Sequence, residues 1–190
     1  MNPLTENISQ IVSLTPEEKE SIERAFSLRE LRKGDLWIQH GKVCDEVAYV
    51  ESGQLRVGHI DDAGNELTCF FVTSDSFISS FTSFLTHTPT NENISALEET
   101  TLRVINRKDL EELSVSVPKM QVFRRVIAEN LFITMENRIV MLQSQSANQR
   151  YEKILRENPD IVLTVPLQYI ASFLGITPQH LSRLRNQRAR

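Results

Sequence analysis

The residues best suited to chemistry lie between Leu167 and Gln187. Within Pro178-Gln179-His180-Leu181-Ser182-Arg183-Leu184-Arg185-Asn186, two leucines stand three apart among Gln179, His180, Ser182, Arg183 and Asn186. On a helix the leucines share one face and those polar side chains turn away from it. All of them can hydrogen-bond and none is acidic, which suits the major groove of double-stranded DNA. Arg183 can make two bonds to guanine O6 and N7, and Gln179 can pair with adenine N6 and N7, so Gln179, Ser182 and Arg183 are the expected base readers. Thr177, His180, Arg185, Asn186, Arg188 and Arg190 are the expected phosphate contacts, which fix register without reading sequence.

Such a face works only on a rigid mount. Leu167 to Leu174 reads as a first helix, Gly175-Ile176-Thr177 as a turn, and Pro178 to Gln187 as a second helix. Ala171 is small where the helices cross, and Gly175 can take the positive φ that ends the first helix sharply. Thr177 can cap the second helix and Pro178 open it. Ile170, Leu174, Ile176, Leu181 and Leu184 form a small core that sets the angle. A plain helical hairpin with a solvated basic face is the alternative, but spacing, glycine, cap, small residue and local charge all agree on a helix-turn-helix. Only Asp160 to Val165 separate the preceding helix from Pro166, so any hairpin wing is reduced.

The charge distribution agrees. The chain is net −4 overall, yet residues 148–190 carry seven Lys or Arg against three Asp or Glu, net +4, leaving −8 elsewhere. Gln179 to Arg190 holds Arg183, Arg185, Arg188 and Arg190 with no acid. The basic region is the one expected to meet a polyanion.

The elements that position this end follow from periodicity. Thr15-Pro16-Glu17-Glu18 is a capping-box start for a helix reaching about Phe26. From Leu28 to Ile105 the chain has short Val-, Ile-, Phe- and Thr-rich runs, broken at Lys33-Gly34, His40-Gly41, Ser52-Gly53 and Ala63-Gly64. That is an antiparallel sandwich or roll. Val47 to Val50 and Leu55 to Val57 flank a hairpin turn, with Leu55 and Val57 inward and Arg56 outward; Asp61 to Asn65 makes another. After Pro118 the period becomes helical. Phe123, Ile127, Leu131, Met135, Ile139 and Leu142 mark a helix of about 33 Å from Met120 to Leu142. A helix that long and apolar needs partners on two sides, and a second copy of itself is the economical one. The expected units are residues 1–117, the roll; 118–147, the dimerisation helix; and 148–190, the DNA-binding unit. The fold class is α+β.

Several functions are disfavoured. No run approaches the roughly 18 apolar residues that span a bilayer, and Met1 to Leu14 lacks a secretory pattern, so a cytoplasmic protein without membrane contact is expected. Cys44 and Cys69 are too few for a four-cysteine centre and read as reduced strand residues. His40, His59, His87 and His180 lack paired metal-ligand spacing, and no nucleophile elbow or phosphate-cradling loop occurs. Neither a metal nor catalysis is expected.

The chain resembles the Crp/Fnr family of regulators over nearly its whole length. The resemblance rests on the strand pair around Glu51-Ser52-Gly53-Gln54-Leu55-Arg56-Val57, on Asp75-Ser76-Phe77-Ile78, on the Met120 to Leu142 helix, and on Thr177-Pro178-Gln179-His180-Leu181-Ser182-Arg183-Leu184. It implies a cyclic-nucleotide-binding-like β-roll (a double-stranded β-helix), a dimerising helix and a C-terminal helix-turn-helix. It further implies a homodimeric transcription regulator on a roughly palindromic site, with RNA polymerase as a partner. Gln179, Ser182 and Arg183 match the family's base-facing positions, with Gln179 where many members carry glutamate. The effector region departs from the family: Ser80 falls where a ribose-holding glutamate stands and Thr90 where a phosphate-holding arginine stands. Ser79, Ser80, Thr90 and Asn91 therefore mark a candidate effector pocket in which cyclic AMP is not expected, and no cofactor is expected. A small-molecule sensor with secondary DNA binding is the alternative.

Overall fold

Alternating apolar residues between glycine turns close into a roll of two antiparallel sheets. A computed structural model of the chain describes residues 2–188, and nine helices and eight strands lie among them. One sheet has the order β1 (Ser27–Leu31), β8 (Thr100–Asn106), β3 (Glu46–Ser52), β6 (Ser76–Ile78); the other runs β2 (Leu36–Ile38), β7 (Glu92–Ala96), β4 (Gln54–Ile60), β5 (Glu66–Thr73). Their inner faces bury Trp37, Ile38, Val50, Leu55, Val57, Ile94, Leu102 and Val104. The β3–β4 turn requires glycine: Gly53 has φ +94°, and a Cβ there would lie 2.4 Å from the Thr100 hydroxyl.

Helices α1 (Pro3–Ser9), α2 (Pro16–Ala25), α4 (Arg107–Ser116) and the start of α5 (Lys119–Ser144) share a second core with strand residues. Leu4, Ile8, Ile22, Leu110, Met120 and Phe123 pack there with Tyr49 and Ile105. The expected capping box at Thr15 and Glu18 is complete. Helical structure begins earlier than the period change at Pro118 suggested. Asn106 caps α4, its side-chain oxygen accepting from the Asp109 amide at 2.9 Å.

The 26-residue α5 sorts its apolar residues differently from the expected list. Phe123 is 3% exposed and belongs to the subunit's own core, with Ile127 packed against it. Leu131 is only half-buried, while Met135, Ile139 and Leu142 are exposed, as is Phe132, which was not singled out. Phe132, Met135, Ile139 and Leu142 are spaced three, four and three apart, the spacing of a coiled-coil seam, although Phe132 and Met135 also border the cavities against the roll. The expected set thus divides by its contacts: Phe123 and Ile127 hold α5 to its own domain, and the exposed residues form the unpartnered stripe.

The last unit comprises α6 (Ala147–Glu157), α7 (Pro159–Thr164), α8 (Leu167–Phe173) and α9 (Pro178–Arg188). Its core of Tyr151, Ile154, Ile161, Ile170, Leu174 and Leu181 also takes in Phe71 and Leu97 from the roll. The segment read as a reduced wing is instead the short helix α7, opened by Pro159. Among the described residues there is no strand after β8 and no helix long and apolar enough to cross a membrane.

Candidate nucleic-acid interface

Two helices and a four-residue turn build the candidate interface. Ile170, Ala171, Leu174 and Leu181 are fully buried, so the α8–α9 angle is set by close packing. Gly175 has φ +66°, the left-handed conformation expected of it. The Thr177 hydroxyl accepts from the His180 amide at 3.2 Å, the expected cap. Gln179, His180, Ser182, Arg183 and Asn186 are all exposed, as is Thr177. The three expected readers thus stand together on one accessible face. Arg185 is a correction: its guanidinium donates to the Val162 carbonyl at 3.2 Å, and its Nε is buried without a partner, so it braces α9 on α7 instead of reaching out as a phosphate arm. Arg188 closes α9, while Arg190 lies outside the described residues.

This unit is fastened at the C-terminal end of α8 and along its side. Arg138 of α5 stacks on Phe173 at 4.0 Å and donates to the Phe173 carbonyl, and Arg150 of α6 donates to the Leu174 carbonyl at 2.8 Å. These are carbonyls at the C-terminal end of a helix, where cations are favoured. Burial, the main cause, lowers the Arg138 pKa from its ordinary value. Along the side of α8, Ser172 Oγ accepts from the Thr68 amide at 2.9 Å, and Phe173 meets Phe71 at 5.3 Å between ring centres.

Arg56 completes the attachment and corrects another expectation. Strand alternation does turn it away from the roll core, but it is only 3% exposed because α8 covers it. Its guanidinium lies 4.0 Å from the Tyr169 ring centre, pairs with Glu66 at 2.8 Å and donates to Thr68 Oγ1 at 2.9 Å. The outer face of the β4–β5 hairpin is therefore a docking face for the first helix of the motif.

Comparison with known proteins agrees with this architecture. Residues 28–116 match the model of the cyclic nucleotide-binding domain. The fold is that of FixK2 from Bradyrhizobium japonicum, with TM-score 0.74 at 16% identity over 85% of this chain and 83% of that one. A CooA mutant from Carboxydothermus hydrogenoformans aligns over 98% of this chain and 84% of its own, with TM-score 0.70 and 19% identity. A regulator assigned to the Crp/Fnr family, from Eubacterium rectale, gives TM-score 0.72 and 18% identity over 92% and 83%. Residues 28–116 are thus similar to a cyclic nucleotide-binding domain, and the chain as a whole shares the fold of these structures. No curated protein matches the sequence.

A cavity of about 710 Å³ opens between the roll and α5. Of the expected pocket residues only Ser79 lines it. Ser80 and Thr90 are buried and bonded to each other at 2.7 Å, and Asn91 is exposed. The residue that sequence reasoning missed is Glu92, which lines the cavity and accepts from Ser80 Oγ at 2.6 Å. Glu92, Ile94 and Ala96 alternate on one face of β7, and Ile94 and Ala96 are buried. Period-two alternation would have placed Glu92 inward with them. Cys69 also lines the cavity; burial, its main perturbation, raises its thiol pKa and keeps it protonated, in keeping with a reduced strand residue.

Proposed function

We propose that this chain is a sequence-specific DNA-binding transcription regulator that acts as a homodimer on a roughly palindromic site, without cyclic AMP as its effector. The observation that carries the reading is the exposed face of Gln179, His180, Ser182, Arg183 and Asn186 on a close-packed two-helix mount. Polar, acid-free side chains at the start of the second helix are what a major groove requires. The stripe of Phe132, Met135, Ile139 and Leu142 supports pairing, since exposed apolar residues at coiled-coil spacing are satisfied by another helix of the same pattern. Neither Ser80 nor Thr90 can supply the carboxylate and guanidinium fork that would grip a ribose and a cyclic phosphate.

The cavity favours a companion reading in which the cyclic nucleotide-binding domain senses another small molecule. DNA binding is then its output.

An anisotropy titration of a labelled duplex enriched from a random pool tests the reading, with Arg183→Ala beside the unaltered protein. The expected loss is about 1–3 kcal/mol on the enriched duplex, with weakened preference over random DNA. Unchanged affinity and unchanged preference would remove Arg183 from its role.

A further inference from the structure

The walls of the cavity between the roll and α5 are mostly apolar. Val57, Phe70 and Val72 face Ile127 and Leu131 across it, with Thr134 at the α5 side. Within this lining the carboxylates are Glu92 and Asp75, and no Lys, Arg or His is present among the described residues. The two carboxylates differ in what satisfies them. Asp75 accepts from the Tyr49 hydroxyl at 2.7 Å. Glu92 accepts from Ser80 Oγ through one oxygen only, and among the described residues no cation lies within ion-pair distance of it.

The neighbouring cations are committed elsewhere. Arg56 is held by Glu66 and Tyr169 on the outer face of the sheet, and Arg138 grips Phe173. His59 stands opposite Glu92 in the β4–β7 register but makes no ion pair with it. A carboxylate left unpaired beside an apolar wall is costly in water-poor surroundings and gains most from a cation or strong donor. An anion placed there meets repulsion and finds no guanidinium.

The geometry points to an effector with an apolar body and a single amine or other hydrogen-bond-donating head, bound in this cavity with its head on Glu92. The inference deepens the sensing reading of the same site and concerns the unbound protein, so its outcome is independent of DNA. Because Ile127, Leu131 and Thr134 belong to α5, such a ligand touches the helix that carries the unpartnered stripe.

Calorimetric titration of the full chain with three length-matched probes, decylammonium, decanol and decanoate, each below its aggregation threshold, tests this. Decylammonium is expected to bind at least about tenfold more tightly than decanoate, with decanol between them. Glu92→Gln, which keeps the shape and can still accept from Ser80, is expected to remove most of the decylammonium advantage and to leave decanol little changed. Loss of the advantage would also separate binding at Glu92 from general attraction of amines to an acidic protein. Should Glu92→Gln not fold, the rank order in the unaltered chain decides. Equal or tighter binding of decanoate, micromolar binding of cyclic AMP in the same titration, an amine preference untouched by Glu92→Gln, or no saturable binding of any probe would each overturn the proposal. A failure of DNA binding would leave this result standing, and the reverse also holds.

Discussion

Arg56 shows how much one side chain can depend on its neighbours. Its guanidinium is buried, yet each of its bonds is made by another element: Glu66 and Thr68 on the partner strand of its hairpin, and Tyr169 on the distant α8. Arg56→Ala leaves Glu66 without its cation and uncovers the Tyr169 face, and is expected to cost about 2–4 kcal/mol in urea unfolding. Arg56→Met, which keeps the stem against Tyr169, is expected to recover part of that loss. Equal stability of the alanine variant and the unaltered protein would contradict the attachment. Alternation in β4 placed Arg56 outside the roll correctly. What one strand could not show was that another unit lies on that outside face. The exposed face of α9 was legible because Leu181 and Leu184 mark the inner side locally, whereas the role of Arg185 depends on α7, which the sequence did not announce as a helix.

At the scale of elements, α5 serves two surfaces. Its N-terminal turns complete the second core through Met120 and Phe123, and further along it presents Phe132, Met135, Ile139 and Leu142 to solvent. Ile139→Asp adds a charge to the exposed stripe without touching that core, so it is expected to convert a dimer to a folded monomer, read as a halved mass in light scattering with unchanged far-ultraviolet dichroism. A dimer of unaltered mass would move the subunit contact elsewhere. The helix itself was plain in the sequence because 3.6-residue periodicity is strong over so many turns. Its facing was not, since residues every three or four apart along α5 fit either the roll or a partner, and only the positions of α2, α4 and the roll decide between them. The helices α1 and α7 are short and announce themselves weakly for the same reason: tertiary burial of Leu4, Ile8 and Ile161 stabilises them more than local propensity does.

At the scale of the molecule, the C-terminal helical unit and the roll share a core. Phe71 and Leu97 pack with the helices of the C-terminal unit, and Arg138 of α5 holds the last carbonyl of α8. Trp37, the single tryptophan, sits in the roll and reports on that unit alone. Urea transitions followed by Trp37 fluorescence and by helical dichroism are expected to coincide, and to separate in Arg56→Ala as the C-terminal unit loosens first. Separate transitions in the unaltered chain would show that the shared core contributes little. Charge asymmetry and the roll-helix-hairpin order were readable from composition and period. The contact between the units was not, because it joins residues more than a hundred positions apart.

Two copies of α9 are expected to present Gln179, Ser182 and Arg183 to successive major grooves about 34 Å apart. Enrichment of random duplexes by the full-length protein, followed by sequencing, measures this most directly. The account predicts an inverted repeat whose half-site centres lie about one helical turn apart, with a guanine preference in each half that Arg183→Ala relaxes. A single unrepeated half-site, or no enrichment at all, would contradict it.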